Sequence, residues 1–274
     1  MRIVTRPEEL ESRSPQVGAL VPTMGALHEG HLTLIRKARE IAGPDRQVAV
    51  SIFVNPIQFD RPDDLNAYPR PLEDDLEACR KEGVDLVFIP EADAMYASDS
   101  STKVIESSLA TTLCGATRPG HFDGVCTVVL KLFNLIQPEA AVFGEKDFQQ
   151  LAIIRRMVRD LNVPVEVIGH PTLREADGLA LSSRNQRLST EQRADAPRIH
   201  AAMLAAAREG RVCDVLQSAR QGIESPLNEV DYLELVDVET LQPVDTLDRP
   251  ALLATAVFYG QVRLIDNLTI SPHS

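Results

Sequence analysis

Apolar runs alternate with amphipathic segments from the N-terminus to about residue 170. Five short runs have the length and β-branched content of buried strands: Val17–Val21, Val48–Val54, Val84–Ile89, Ala140–Phe143 and Val163–Ile168. Between them, apolar residues recur with helical spacing at about His31–Ala42, Leu72–Glu82, Gly124–Ile136 and Phe148–Leu161. Strands separated by helices in this order are typical of βαβ units. The pattern therefore predicts an α/β fold with a Rossmann-like parallel sheet in the N-terminal domain.

The remaining residues follow a different pattern. Helical periodicity and then strand-like alternation occur at Thr190–Gly210, Asp214–Ser225, Asp231–Val238, Ala251–Tyr259 and Val262–Ile265. Two helices followed by a small antiparallel sheet predict a smaller α+β domain at the C-terminus. We place the boundary at Pro171, which gives domains of residues 1–171 and 172–274.

Composition and charge limit the range of partners. Hydrophobic residues make up 44% and charged residues 25% of the 274 residues, a balance that is typical of soluble globular proteins. The chain has 40 Asp and Glu against 28 Lys and Arg, for a formal net charge of −12. Because nucleic acids and anionic membranes are bound by basic surfaces, we expect neither as a partner. No apolar run reaches the roughly 20 residues that span a bilayer.

The cysteines and the N-terminal segment predict a cytoplasmic protein. Cys79, Cys114, Cys126 and Cys213 are far apart and form no C-x-x-C pair, which fits neither a zinc site nor a disulfide framework. We interpret them as packing residues. The first 15 residues, MRIVTRPEELESRSP, become charged before any apolar stretch develops, so we expect no secretory signal.

The first polar cluster, PTMGALHEGH, directly follows the first predicted strand. His28 and His31 are three residues apart, so they share one face at the start of the following helix. Gly25 and Gly30 allow a ligand to approach the backbone closely. Backbone N–H groups at a helix N-terminus attract anions, and two imidazoles add donors. The alternative is that the histidines only cap the helix.

Two further clusters follow later strands. Asn55 and Gln58 come after the second strand, and their neutral amides suit a hydroxyl or a carboxylate, although ordinary turn chemistry also explains them. Lys146 lies in Gly144–Asp147, at the entrance of the next helix, where a lysine is suited to contact phosphate. An N-cap role alone remains open for Asp147.

A fourth cluster, Leu181–Asn185, lies in the segment that joins the two domains. Its two hydroxyls beside Arg184 are suited to folding over a polyphosphate, and a polar linker is the alternative. Arg118 and His121 are two cationic candidates in a loop that contains proline and glycine, and their role stays open.

Several polar residues lie inside predicted helices. We interpret Glu73–Asp75 as compensation of a helix dipole, with a hydrated cation as the alternative. Helical spacing directs only one of Gln149 and Gln150 toward the cleft. His200 lies in an Ala-rich segment, where we expect a surface or partly packed position.

Together these clusters closely resemble the pantoate–beta-alanine ligase family, a branch of the nucleotidylyltransferase superfamily with its H-x-G-H signature. The similar segments, in the family's order, are PTMGALHEGH from Pro22, SIFVNPIQF from Ser51, RPGHFDGV from Arg118, KLFNLIQPEAAVFGEKDFQQL from Lys131, READGLALSSRN from Arg174 and RLIDN from Arg263. Many adenylate-forming enzymes share H-x-G-H, whereas GEKDFQQL together with DGLALSSRN is far more specific. One departure is Ala97 after Tyr96, where the family usually has proline.

The resemblance implies a ligation in two steps with ATP as a substrate. The carboxylate of pantoate attacks the α-phosphorus of ATP, which gives pantoyl adenylate and pyrophosphate. The amine of β-alanine then attacks the acyl carbon, which gives pantothenate and AMP. The resemblance further implies Mg²⁺, whose ligands it does not identify, a homodimer, and a smaller domain that forms a lid over the active site.

The resemblance also implies roles for individual residues. His31 stands where the family has its catalytic proton donor, and His28, Lys146 and Arg184 stand where catalytic groups contact the phosphates. The implied ATP-binding residues are Met24, Gly25, Ala26, Leu27, His28, Glu29, Gly30, His31, Gly144, Glu145, Lys146, Asp147, Leu173, Leu181, Ser182, Ser183 and Arg184. Met24, Gln58 and Gln150 correspond to residues that bind pantoate, and Gln58 also serves β-alanine.

Two other functions fit parts of the pattern. A cytidylyl- or adenylyltransferase with H-x-G-H would act on a phosphorylated acceptor and would favour more Arg or Lys near Gln58. A non-catalytic nucleotide sensor on the same fold would not need both histidines, Lys146 and the Ser-Ser-Arg cluster together. Production of AMP and pyrophosphate that requires both pantoate and β-alanine separates the three.

Overall fold

The computed structural model describes residues 1–10 and 16–272, so residues 11–15 of the charged N-terminal segment lie outside the described residues. The chain divides into two compact units. The first contains Met1–Glu106, Arg118–Glu145 and Ile153–Pro171, and the second contains Ser107–Thr117, Lys146–Ala152 and the chain from Thr172 onward. The second unit therefore includes two short segments that precede the predicted boundary at Pro171.

A six-stranded parallel sheet forms the centre of the first unit. Its strands are β1 (Arg2–Val4), β2 (Val17–Thr23), β3 (Gln47–Ile52), β4 (Leu86–Phe88), β5 (Ala140–Gly144) and β6 (Glu166–His170). They are arranged in the order β1-β4-β3-β2-β5-β6, and every neighbouring pair is parallel. The predicted Rossmann-like sheet is confirmed. The sequence pattern missed β1 because two of its three residues are exposed.

Helices lie between the strands along the chain, and the helix Leu113–Thr117 belongs to the second unit. In chain order they are α1 (Glu29–Ala42), α2 (Pro62–Asn66), α3 (Leu72–Lys81), α4 (Ala92–Met95), α5 (Leu113–Thr117), α6 (His121–Ile136) and α7 (Phe148–Asp160). The four longer helices match the predicted segments to within a few residues. The pattern missed α2, α4 and α5, since four or five residues are too few to show helical periodicity. In α1, Leu34, Ile35 and Ala38 pack into the core with sheet residues Val21 and Val50.

The order of the sheet reverses between β2 and β5. From β2 the chain continues to β3 on one side, whereas β5 pairs with β2 on the other. In open α/β sheets, ligands bind at the carboxyl ends of the strands at such a reversal. Since β2 ends at Thr23 and β5 ends at Gly144, the PTMGALHEGH and GEKD segments both leave the sheet at this point.

A three-stranded antiparallel sheet forms part of the second unit, which confirms the predicted α+β pattern. Its strands are β7 (Glu229–Asp237), β8 (Ala251–Tyr259) and β9 (Val262–Ile270), in the order β7-β8-β9. The helices that precede it are α8 (Thr190–Asp195), α9 (Arg198–Ala206) and α10 (Val212–Ile223).

Two predicted elements of the second unit have wrong boundaries. The predicted helix Thr190–Gly210 is interrupted before Pro197, because proline lacks the N–H that would continue the helical hydrogen bonds, and its second part ends at Ala206. β9 extends well beyond Ile265, because its ladder with β8 continues until Ile270 pairs with Ala251.

The structure tests the predicted packing role of the cysteines and the expected absence of a membrane-spanning segment. Cys79, Cys114 and Cys126 are buried, but Cys213 is exposed on α10, so its predicted packing role is wrong. All four cysteines are free thiols. Within residues 1–10 and 16–272, every helix is too short or too polar to cross a membrane.

Candidate active site

The loop after β2 passes through two residues in the left-handed region. Gly25 has φ of +80° and Ala26 has φ of +51°. A Cβ atom on Gly25 would lie 2.9 Å from Oδ2 of Asp75, so both conformation and space favour glycine. Asp75, in the first turn of α3, accepts hydrogen bonds from the backbone N–H groups of Ala26 at 2.9 Å and Leu27 at 2.6 Å. Its carboxylate therefore holds the loop that leads into the histidine motif.

The Asp75 side chain is buried, with 2% of the residue exposed, whereas Glu73 and Asp74 are exposed. Burial raises the pKa of the Asp75 carboxyl above its ordinary value, and the N–H groups of Leu27 and Ala26 act in the opposite direction. Asp75 lies in the first turn of α3, as predicted for helix-dipole compensation, and its oxygens also accept bonds from another segment.

His28 and His31 form the entrance of α1. His28 is the N-cap residue, and its Nδ1 accepts a hydrogen bond from the N–H of Gly30 at 3.1 Å. Nδ1 of His31 accepts from the N–H of His28 at 3.3 Å, and the ring centroids are 4.2 Å apart. Since a backbone N–H only donates, each neutral ring carries its hydrogen on Nε2. Capping and ligand binding are therefore compatible, because Nδ1 caps the helix and Nε2 is a donor at its positive end.

A buried polar network surrounds Gln58 after β3. Asn55 Nδ2 donates to Oε1 of Gln58 at 2.9 Å and to the carbonyl oxygen of Gly124 at 3.1 Å. The hydroxyl of Tyr96 donates to Oδ1 of Asn55 at 2.8 Å. Nε2 of Gln58 lies 3.1 Å from the sulfur of Met24. The structure thus places Gln58 next to Met24, as expected of two residues that bind the same substrate.

Gln58 also lines a cavity of about 150 Å³ together with Asp60, Lys103, His121 and Asp123. Arg118 lies beside it, and its Nε donates to Oδ1 of Asp60 at 2.8 Å. Nδ1 of His121 is 2.7 Å from the carbonyl oxygen of Gln58. Burial opposes ionisation of Asp60, but the bond and the charge of Arg118 outweigh it and lower the pKa of that carboxyl. Arg118 and His121 therefore hold the segment that carries Gln58.

The segment that contains Lys146 forms a 3-10 turn, Glu145–Asp147, that runs directly into α7. The carbonyl oxygen of Lys146 accepts a hydrogen bond from Nδ2 of Asn267 at 2.9 Å. Gln149 is buried, and its Nε2 donates to the carbonyl oxygens of Leu109 and Thr112, at 2.8 Å each. Gln149 therefore has a structural role, and the neighbouring Gln150 is the candidate for substrate binding.

In the second unit, a hairpin of residues 173–181 leads into the Ser-Ser-Arg cluster, Ser182–Arg184. Arg174 binds the buried carboxylate of Asp266 through two hydrogen bonds of 2.7 and 2.8 Å. The N–H of Leu181 donates to the carbonyl oxygen of Leu173 at 3.0 Å, and Arg174 forms an isolated antiparallel bridge with Ala180, so the two arms of the turn meet at these candidate residues. Such bidentate pairs as Arg174 and Asp266 are geometrically specific. The bond between Arg174 and Asp266 therefore fixes the direction in which the backbone enters the Ser-Ser-Arg cluster.

Ser182 caps the short 3-10 helix Ser183–Arg187, since its Oγ accepts from the N–H of Arg184 at 3.3 Å. Ser182 and Lys146 line one small cavity of about 10 Å³ with Asn185 and Asp266. The structure thus brings together two clusters of the second unit that are separate in the sequence.

Two residues of the site region, Tyr96 and Asn267, received no role from the sequence, and Asp75 received a role only within its own helix. Their contacts join segments that are far apart in the chain, such as the 48 positions between Leu27 and Asp75. Periodicity and local motifs carry no signal for such pairs. For Asn267 the sequence did carry a signal, because this residue ends the RLIDN segment that contributed to the family resemblance.

The described residues offer no group of three or more His, Cys, Asp or Glu side chains arranged to hold a metal ion. Mg²⁺ in nucleotide sites commonly keeps several waters and binds one or two carboxylates plus the phosphates. The donor set is therefore compatible with a Mg²⁺ ion that is bound mainly by the nucleotide.

Comparison with known proteins identifies the family. The family model for pantoate-beta-alanine ligase matches residues 2–269. The chain is 55% identical over 256 residues to the pantothenate synthetase of Akkermansia muciniphila, covering 92% of this chain and 91% of the relative. It is 53% identical over 254 residues to the pantothenate synthetase of Mycolicibacterium smegmatis, covering 92% of this chain and 80% of the relative.

Solved structures agree with this match. The crystal structure of pantothenate synthetase from Thermus thermophilus superposes with a TM-score of 0.94 at 46% identity, covering 99% of this chain and 100% of the other. The pantoate-beta-alanine ligase of Francisella tularensis, solved as a complex with beta-gamma ATP and beta-alanine, gives a TM-score of 0.81 at 32% identity, covering 98% of this chain and 97% of the other. The chain therefore belongs to the pantoate–beta-alanine ligase family of enzymes.

Proposed function

We propose that this chain joins pantoate to β-alanine in two steps at the expense of ATP. In the first step, an oxygen of the pantoate carboxylate bonds to the α-phosphorus, and the bond to the bridging oxygen of pyrophosphate breaks. In the second step, the amine of β-alanine bonds to the acyl carbon, AMP leaves, and the amine loses a proton. Family membership supports this reaction. The observation that locates it in the chain is the pair of histidines, His28 and His31, at the start of α1.

The first step brings two anions together, so it depends on positioning and on local positive potential. His28 and His31 supply Nε2 donors at the positive end of α1, next to backbone N–H groups. We assign the α- and β-phosphates to this end of the helix. His31 acts mainly on adenylation, by stabilising the negative charge that develops on pyrophosphate.

Lys146 and Arg184 supply further positive charge from the second unit. Hydrogen bonds hold both segments, through Asn267 for Lys146 and through the Ser182 cap for Arg184. We assign Lys146 to a phosphate oxygen and Leu181–Arg184 to the triphosphate, with the backbone of Leu173 at the adenine. Closure of the second unit over bound ATP stays a prediction.

Gln58, Gln150 and Met24 form the proposed pantoate site, and Gln58 also serves β-alanine. The amide of Gln58 is neutral and suits a carboxylate and hydroxyls, and the nearby Arg118 already pairs with Asp60. Because Lys103 also lines this cavity, charge alone does not separate pantoate from a phosphorylated acceptor, and the family match argues against a cytidylyl- or adenylyltransferase.

We also propose that Mg²⁺ arrives with ATP, that the enzyme is a homodimer and that it works in the cytoplasm. Mg²⁺ would neutralise charge on the phosphates of ATP and of the leaving pyrophosphate. Four free thiols are suited to a reducing compartment. Sedimentation equilibrium tests the dimer, and titration of Mg²⁺ at fixed ATP tests the metal requirement.

One assay tests the reaction. The purified protein is incubated with MgATP, pantoate and β-alanine, and AMP, pyrophosphate and pantothenate are measured. We expect all three in equal amounts, and no sustained AMP release when either acid is omitted. Pantoate alone should still support exchange of labelled pyrophosphate into ATP. Sustained release of pyrophosphate with a phosphorylated acceptor, or no reaction with pantoate, would overturn the proposal.

A further inference from the structure

A chain of three polar side chains crosses the interior of the first unit and ends at Gln58. The Tyr96 hydroxyl donates to Oδ1 of Asn55 at 2.8 Å, and Nδ2 of Asn55 donates to Oε1 of Gln58 at 2.9 Å. Asn55 is 1% exposed and Gln58 is 8% exposed. Water therefore has little access to compete for these bonds, and the protein itself must satisfy each polar atom.

The direction of this chain is set at Asn55. Its Nδ2 also donates to the backbone carbonyl of Gly124 at 3.1 Å, and a carbonyl oxygen only accepts. The amide nitrogen of Asn55 must therefore face Gly124, which leaves Oδ1 to accept from the Tyr96 hydroxyl. Nδ2 of Asn55 is a donor to both Gly124 and Gln58. The Gln58 atom that faces it must therefore be an acceptor, which is Oε1.

The amide nitrogen of Gln58 consequently points the other way, toward Met24, whose sulfur lies 3.1 Å from Nε2. A thioether is a weak acceptor. The N–H donors of the Gln58 amide therefore face Met24, the other residue proposed to bind pantoate. The carbonyl oxygen of the same amide accepts from Asn55.

Close packing holds the chain in place. A Cβ atom on Gly124 would lie 2.5 Å from the carbonyl oxygen of Ile57 and 2.7 Å from the nitrogen of Gln58, so α6 contacts this segment through backbone atoms. The Tyr96 ring packs against Phe53 at a centroid distance of 6.3 Å. This ring contact, together with the hydrogen bond to Asn55, holds the Tyr96 side chain.

We propose that Tyr96 is a positioning residue for the substrate of Gln58. Acting through Asn55, it keeps the N–H donors of the Gln58 amide directed at an oxygen acceptor, which is the carboxylate or a hydroxyl of pantoate. Without the hydroxyl, Oδ1 of Asn55 loses its donor, and the amides of Asn55 and Gln58 are no longer held in one direction. This inference rests on the proposed contact between Gln58 and pantoate.

Tyr96→Phe tests the inference with little change in shape. We expect KM for pantoate to rise about five- to tenfold, as for loss of one buried hydrogen bond, with KM for ATP changed less than about twofold. Tyr259→Phe is the control for loss of a tyrosine hydroxyl away from Gln58, because the Tyr259 hydroxyl, in the second unit, donates to Oδ2 of Asp195 at 2.9 Å and accepts from Asn228 at 3.3 Å. It should lower the thermal midpoint and leave KM for pantoate unchanged.

A double-mutant cycle tests whether Tyr96 acts through Gln58. In a Gln58→Ala background, Tyr96→Phe should change KM for pantoate less than about twofold, because the amide that it orients is gone. Multiplying effects would overturn the inference, and so would an unchanged KM in Tyr96→Phe. These outcomes are read against the wild-type enzyme. A wild type that shows no pantoate-dependent AMP release would instead refute the proposed function.

Discussion

The carboxylate of Asp75 accepts a hydrogen bond of 2.6 Å from the backbone N–H of Leu27, which is four residues before the second histidine of the H-x-G-H motif. Together with the bond to Ala26, it holds the backbone in the left-handed turn from which α1 begins. The loop between β2 and α1 therefore depends on a side chain from α3.

Removing this carboxylate should impair ATP use. Asp75→Asn retains one acceptor oxygen for two N–H groups, and we expect kcat/KM for ATP to fall about 10- to 100-fold through misplacement of His28 and His31. The free energy of unfolding should fall by about 1–3 kcal/mol. Steady-state kinetics and urea unfolding measure the two effects. Glu73→Gln, an exposed change in the same helical turn, is the control, and equal behaviour of the two variants would contradict the prediction.

His31→Ala should act mainly on adenylation. The imidazole Nε2 lies at the positive end of α1, so its loss removes a donor from the developing pyrophosphate charge, and we expect kcat/KM to fall about 10²- to 10³-fold. Exchange of labelled pyrophosphate into ATP should fall by a similar factor. His31→Asn keeps a donor and should restore part of the exchange. If exchange is unaltered while amide formation slows, His31 acts on the second step.

Two adjacent glutamines in α7 should respond in opposite ways. Gln150→Ala removes a proposed substrate contact, and we expect KM for pantoate to rise about tenfold with little change in stability. Gln149→Ala leaves the carbonyl oxygens of Leu109 and Thr112 without their buried donor, and the free energy of unfolding should fall by about 2 kcal/mol. Substrate titrations and thermal unfolding of both variants provide the comparison. A selective loss of pantoate binding in Gln149→Ala would reverse these assignments.

Acidification should destabilise the second unit through His200. This side chain is partly packed, as expected, and burial, followed by the charge of Arg174, lowers the pKa of its imidazole below the ordinary value of 6.5. The unfolded chain then binds the proton more readily than the native one, so stability falls as the pH drops below about 6.5. His200→Gln should reduce this slope between about pH 7 and pH 5. Measurements at about pH 8, where the ring is neutral in both states, provide the reference, and an unchanged slope would count against the prediction.

The alternation of apolar runs and helical periodicity determined most of the fold. Strands such as β2 and β5 are recognisable because burial on both faces of a parallel sheet requires continuous apolar residues, and this signal is local. The positions of the candidate residues at strand ends follow from the same signal. The interruption before Pro197 was also readable from the sequence, but the long Ala-rich periodicity obscured it.

The sequence by itself thus determined the parallel sheet, the α+β unit, the family and the candidate residues. Only the tertiary structure decided which side chains hold them: Asp75 against the loop after β2, Tyr96 and Asn55 behind Gln58, and Arg174 on Asp266, a residue 92 positions later. The physical reason is the separation along the chain between the residues that interact. Strand and helix patterns reflect neighbours within a few residues, whereas a buried hydrogen bond forms only where packing brings its donor and acceptor together.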